Sequence, residues 1–428
     1  MKSELDRIAP PLKSNPVILG AAQTTFTGGK TRTKTLRDLA GEAATDAMTE
    51  AGMKTEDVDL LVVAQAAGGI ALNQLHTSPL IAERLGLVGI PSLRIENACA
   101  SGSVALHTAL TAIEAGWADN VLVVGAEIMS GISTAMVQRM VSAGGDATYE
   151  VPVGATFPGM YAMFGTRIIH EQAKGNFKEG MDDLAHIALK DHHNAVYNKK
   201  AQFPITIEEL AKKRGIDDVW TFLNDPKMNP IVSWPLRLFD CSPTTDGGAA
   251  CVVSAKDSAS SFSGFKHSVK IIASAQTTGD LPQCVAPTLT SLPAARLAAK
   301  AAYKRAGIED DPVAIKKRVK VVEVHDCFTS AEVLALGDLN LFPRNETLRA
   351  ARDGKTAVAG EIPVNTSGGL KAKGHPIAAT GIAQLVTLIE QLLGKMSPAM
   401  QVKNIDLALA HNVGGTGGSA CVNILERL

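Results

Sequence analysis

The chain has 428 residues, 46% of them hydrophobic, with 42 Lys and Arg against 43 Asp and Glu. That length and apolar share specify a globular protein of two or three domains with a large core, and balanced charge without basic runs excludes an electrostatic nucleic-acid binder. No apolar run approaches the ~20 uncharged residues that span a bilayer, and six cysteines without paired spacing form neither a disulfide framework nor a metal site, which points to a reducing compartment.

Residues 1–16 mix Lys2, Arg7 and Lys13 with Glu4 and Asp6 around Pro10 and Pro11, a poor secretory signal and a weak transit peptide. The chain then begins to repeat itself. Ile18-Leu19-Gly20-Ala21-Ala22-Gln23-Thr24-Thr25 resembles Ile271-Ile272-Ala273-Ser274-Ala275-Gln276-Thr277-Thr278. An alanine-rich helix follows each copy, over 39–52 and 294–307, and each closes on Ala-Gly, where glycine supplies a left-handed cap. A short apolar strand comes next in both, at 60–63 and 319–324. The spacing therefore predicts two related α/β halves, 16–131 and 262–428. Between them, 132–261 reads as an insertion that caps the core and builds a pocket, with Met136, Met140, Met160 and Met163 and charged helical stretches at 182–198 and 207–214.

Four loops follow predicted strands, where α/β proteins place their sites. In the first, Leu93-Arg94-Ile95-Glu96-Asn97-Ala98-Cys99-Ala100-Ser101-Gly102-Ser103 reads as a strand breaking into a small-residue turn before a helix. A cysteine there meets unpaired N–H groups and the positive end of the helix dipole, which favour thiolate. The second loop is His325-Asp326-Cys327-Phe328. The third runs from Asn365 through Gly374-His375-Pro376 and opens an amphipathic helix bearing Ile382, Leu385, Val386 and Ile389. The fourth, His411-Asn412-Val413-Gly414-Gly415-Thr416-Gly417-Gly418, links two strands. Each could be only a tight turn. Together they supply a cysteine nucleophile, a histidine base, a second acid/base and glycines that bring backbone N–H groups close to substrate, the minimum for acyl transfer through a thioester.

The Asn-Ala-Cys-Ala-Ser-Gly-Ser turn, Gly-His-Pro, the Asn-Val-Gly-Gly-Thr-Gly-Gly loop and the duplication resemble a thiolase, and the His-Asp-Cys-Phe loop is similar to the sterol carrier protein 2 type. The resemblance runs from about Pro16 to the end. Asn412 stands where most thiolases carry a second catalytic cysteine, and Cys327 supplies that thiol from the second loop instead. The resemblance implies an α/β fold with a duplicated, five-layered αβαβα core and a 3-ketoacyl-CoA thiolase of lipid degradation that yields acetyl-CoA or propanoyl-CoA. His375 would take the proton of Cys99, and Cys327 would serve as second acid/base. His325 and His375 would form one oxyanion hole, and the N–H groups of Cys99 and Gly414 the other. Coenzyme A would be a co-substrate, with no tightly bound cofactor and no metal, and its phosphates would meet Lys199, Lys200, Lys212, Lys213 and Arg237. A homodimer or tetramer is implied, in an organelle matrix or a bacterial cytoplasm, although the final Glu426-Arg427-Leu428 is a poor peroxisomal signal. Two rivals stand beside this reading: a condensing enzyme of the ketoacyl synthase type, and a non-catalytic acyl-CoA or lipid-binding protein.

Overall fold

The structure is a computed structural model that describes residues 3–29 and 32–428. Nine strands build its sheet: β1 (Val17–Gln23), β2 (Leu60–Ala64), β3 (Ser92–Ile95), β4 (Asn120–Glu127), β5 (Gly247–Ser254), β6 (Val269–Thr278), β7 (Val319–Glu323), β8 (Leu407–Gly414) and β9 (Ser419–Arg427). Their spatial order is β3-β2-β4-β5-β1-β6-β9-β8-β7. The order mirrors itself about the β1/β6 seam, with antiparallel pairs inside and parallel pairs outside on both sides. In the second half the position of β3 is marked only by a parallel bridge between Val322 and Val364. The two copies of the repeated segment are β1 and β6 themselves, joined at Val17 with Lys270 and Ile18 with Val269.

The main helices are α1 (Leu36–Ala51), α2 (Ser101–Glu114), α3 (Phe157–Gln172), α4 (Phe177–Ala195), α5 (Pro293–Ala306), α6 (Thr329–Asp338) and α7 (Thr380–Leu392). Leu106 and Leu110 of α2 pack with Ile382 and Leu385 of α7 against strand residues of both halves, including Val123 and Ala408. On the outside, α1 covers the first half through Leu39 and Met48, and α5 and α6 cover the second through Ala298 and Leu334. The result is five layers, αβαβα, as the resemblance implies. Because the strands are covered on both faces, β2, β4 and β5 are buried along their whole lengths, which is why they read as continuous apolar runs.

Two expectations change. The helix after His375 is not amphipathic in its setting: every residue of α7 except Glu390 is buried, because it lies between the sheet halves. The insertion cannot extend from 132 to 261, because Gly247–Ser254 is the strand that β1 and β4 flank at the middle of the sheet. Before that strand the insertion consists chiefly of α3, α4 and shorter helices. Met140 and Met160 are buried in it, whereas Met163 points out. Among the described residues no helix is long and apolar enough to cross a membrane.

Candidate active site

Cys99 sits between β3 and α2. Ala98, immediately before it, has φ 47°, a left-handed conformation that costs a non-glycine residue about 1–2 kcal/mol. The turn is tied from within. Ser101 Oγ accepts the Asn97 N–H at 2.8 Å and donates to the Ala98 carbonyl at 2.6 Å, while the Ala98 N–H donates to Glu96 Oε1 at 2.7 Å. This strained turn projects the thiol away from the sheet toward the other three loops. The resting thiolate expected from the helix start is not what this site stabilises. Burial pushes the thiol up to about 12, against a smaller opposing effect of the Gly415 N–H. Desolvation outweighs the helix end, so the nucleophile is a thiol that needs a base.

The two histidines supply opposite groups. His375 Nδ1 lies 2.7 Å from Thr380 Oγ1, whose own proton goes to the Pro376 carbonyl at 3.1 Å. Thr380 therefore accepts from Nδ1–H, and His375 Nε2 is a bare lone pair. His325 Nδ1 lies 3.0 Å from Asn412 Nδ2, a group that only donates. His325 thus carries its proton on Nε2, which is buried with no partner of its own. The rings stand nearly perpendicular at 78° with centroids 5.1 Å apart, and a nitrogen of each lies within 4.8 Å of the other and of the Cys99 sulfur. Burial keeps both neutral, holding His375 down to about 4 and His325 well below the ordinary histidine value. A cysteine with two histidines has the donor types of a metal site, but here one imidazole presents N–H rather than a lone pair, so the set fits proton handling better.

Cys327 is buried at the same centre, and burial raises its thiol well above the usual range. Its neighbour Phe328 stacks on Tyr161 of α3 at 4.7 Å, and the Tyr161 hydroxyl donates to the Gly415 carbonyl at 3.0 Å. The Gly415 N–H, which belongs to the preceding peptide unit, faces Cys99. Gly415, with φ 61°, and not Gly414, is the residue presented to the sulfur; Gly414 instead belongs to β8, in register with Ser419. Tyr161, Thr380 and the locking role of Asn412 had no sequence signal. An aromatic residue inside an apolar helix reads as core.

A cavity of about 200 Å³ opens on Cys99, Cys327, His375, Phe157, Met129 and Gly415, and a second of about 400 Å³ touches Cys99 from the side of Ala66, Ile70, Leu75 and Met140. Of the Met cluster only Met140 reaches either cavity, so Met129, outside the expected insertion, contributes more directly to the space around both thiols. None of the cations expected to meet coenzyme A borders these cavities. Arg237 is buried, bonded to Asp240, Asn224 and the Met181 carbonyl, so it is structural. Lys200 donates to the Gln23 carbonyl at 2.7 Å. Lys199, Lys212 and Lys213 are exposed, the last two at the end of a short helix whose C-terminal carbonyls favour cations.

Residues 16–257 match the family model described as the thiolase N-terminal domain, and 275–427 that of the thiolase C-terminal domain. The chain is 36% identical over 412 residues to an acetyl-CoA acetyltransferase of Methanothermobacter thermautotrophicus, covering 96% of this chain and 99% of that one. It is 28% identical to sterol carrier protein 2 of Bos taurus over 97% of this chain and 73% of the relative. Its fold is shared with a solved chain described as an Ltp2-ChsH2(DUF35) aldolase, with TM-score 0.75 at 22% identity, covering 97% and 98% of the two chains. The chain belongs to the thiolase family and is an acyltransferase of that family.

Proposed function

We propose that the protein is a 3-ketoacyl-CoA thiolase that exchanges the acetyl unit of its substrate for coenzyme A through an acyl group on Cys99. The observation that carries this reading is the convergence of two buried imidazoles, His375 bonded to Thr380 and His325 bonded to Asn412, on one thiol. His375 Nε2 takes the Cys99 proton as sulfur attacks the 3-keto carbon. The Cys99 and Gly415 N–H groups face the oxyanion that forms. The bond between C2 and C3 then breaks, leaving acyl-Cys99 and the enolate of acetyl-CoA, whose oxygen meets the N–H of His325 and of the now protonated His375. Cys327 gives its proton to C2 and becomes a thiolate. Incoming coenzyme A returns a proton to Cys327, its sulfur attacks the acyl-Cys99 carbonyl, and the departing Cys99 sulfur recovers its proton from His375.

Cys327 favours this reading over a decarboxylating condensing enzyme, which needs no second thiol to move a proton at C2. The complete set of proton donors and acceptors favours it over a binding protein. For the acyl group, the 36% identical relative supports acetoacetyl-CoA, and the site cavity of about 200 Å³ falls below the roughly 300–1,000 Å³ of pockets for larger ligands. The cavity beyond Cys99, lined by Ile70, Leu75 and Met140 together with Arg94 and Glu96, supports the longer chains of lipid degradation. The homodimer belongs to the proposal as well, supported by the half-exposed edge strand β3. The test is coenzyme A-dependent loss of the 3-keto enolate absorbance from acetoacetyl-CoA and from a long-chain 3-ketoacyl-CoA, for wild type and Cys327→Ala. Turnover that collapses in the variant, while p-nitrophenyl acetate still acetylates Cys99, is expected. Acyl-CoA binding without any wild-type turnover would move the protein to the binding reading, and the ratio of the two rates assigns the chain length.

A further inference from the structure

Behind the second catalytic loop lies a closed group of charges that the reaction sequence does not use. Lys371 Nζ sits 2.7 Å from Asp191 Oδ2 on α4 and 2.9 Å from Asp326 Oδ2, the residue between His325 and Cys327. The other oxygen of Asp326 accepts the Leu370 N–H at 2.8 Å. Asp191 also faces Lys190, which pairs with Glu332 of α6 at 2.5 Å. Glu332 accepts from Asn365 at 3.2 Å, and Asn365 in turn accepts the Val324 N–H at 2.8 Å, at the start of the same loop. Asp191, Asp326 and Glu332 are fully buried and Lys371 is 2% exposed. The three carboxylates could in isolation suggest a cation site, but Lys190 and Lys371 already fill it with ammonium groups.

We infer that Lys371 is the positioning residue of the second catalytic loop: clamped between Asp191 and Asp326, it fixes His325 and Cys327 relative to Cys99. The inference deepens the proposed thiolase reading and rests on it. Asp326 touches no substrate. Its neighbours in sequence do, and Lys371 grips the residue between them at both its carboxylate and its backbone carbonyl, the latter at 3.4 Å. The grip is sterically tight, because a Cβ at Gly369 would lie 2.2 Å from Asp326 Oδ2 and 3.0 Å from Asp191 Oδ2. Burial opposes ionisation of Asp326, yet the Lys371 ammonium and the hydrogen bonds around it hold the carboxyl down to about 2. Burial raises Asp191 well above its usual range, against Lys371 and Lys190.

The test compares Lys371→Met with wild type in two reactions. Acetylation of Cys99 by p-nitrophenyl acetate needs no proton from Cys327, whereas thiolysis of a 3-ketoacyl-CoA does. A loop displaced by even ~1 Å is expected to slow thiolysis about 100-fold while Cys99 acetylation stays within roughly threefold. Iodoacetamide alkylation mapped by mass should change about tenfold at Cys327 and little at Cys99. If both reactions fall together, or neither falls, the inference is wrong. Should Lys371→Met fail to fold, Asp326→Asn keeps the shape and the contact to Leu370 and is read in the same way. If the wild type performs no thiolysis, the proposed function fails and the alkylation contrast decides alone: a Cys327 rate equal to wild type overturns the positioning role.

Discussion

The Tyr161 hydroxyl donates to the carbonyl oxygen of Gly415 at 3.0 Å, across 254 positions of chain, and so pins the peptide that follows the glycine whose N–H faces the Cys99 sulfur. Tyr161→Phe removes one oxygen and keeps the stack on Phe328. One neutral hydrogen bond is worth about 1 kcal/mol, so kcat should fall about fivefold, with folding intact by circular dichroism. Steady-state thiolysis checks this. A rate equal to wild type would mean that the turn at Gly415 is held without the tyrosine.

His325 and Asn412 form a donor and the device that orients it. Removing an oxyanion donor costs about 10²–10³ in kcat, and His325→Ala should lose that much thiolysis while Cys99 still accepts acetyl from p-nitrophenyl acetate. Asn412→Leu leaves the ring but releases its tautomer, and should cost about tenfold, near the worth of a single hydrogen bond to a charged or developing-charge group. An Asn412→Leu loss as large as that of His325→Ala would point to a wider structural collapse.

Acid should destabilise the fold earlier than ordinary histidines would. Burial holds His192, His375 and His411 down to about 4 each. Between that value and the unfolded value of about 6.5, only the unfolded chain binds these protons, so stability present above pH ~6.5 is lost as pH falls through the window. Each imidazole contributes up to about 3 kcal/mol, an order-of-magnitude figure, if the whole shift is realised. Urea midpoints measured near neutrality and at about pH 5 should therefore differ by a large fraction of the total stability. A midpoint unchanged over that range would contradict the neutral burial of these rings.

Alkylation of Cys99 should track its raised thiol. With burial pushing it up to about 12, the thiolate fraction in the free enzyme rises tenfold per pH unit through the neutral and mildly alkaline range, and the iodoacetamide rate should rise with it, without a plateau below about pH 9. A plateau near neutrality would instead reveal a preformed thiolate and imidazolium pair.

Much of the fold is legible in the sequence because its signals are local. The paired Ala-Gly helix ends became left-handed caps at Gly52, φ 70°, and Gly307, φ 65°, and the repeated segments became adjacent strands. The four loops stood out because glycine, histidine and cysteine there break apolar runs. What stayed hidden depends on partners far away in the chain. Arg237 reads as an available cation until the fold surrounds it with acceptors. Ala98 carries a left-handed backbone that nothing in alanine announces. The tyrosine that bonds the Gly415 carbonyl lies in the insertion, and the helix after His375 loses its solvent face only because a second sheet half covers it.

Cys99 belongs to the first half of the doubled sheet, and His325, Cys327, His375 and Gly415 all belong to the second. During synthesis the cysteine therefore leaves the ribosome well before any imidazole that could deprotonate it. Until the last hairpin, β8 with β9, closes beside it, the thiol lacks the Gly415 N–H. A nascent chain thus carries the nucleophile before the groups that come to surround it, and the assembled site arrives only with the closing hairpin.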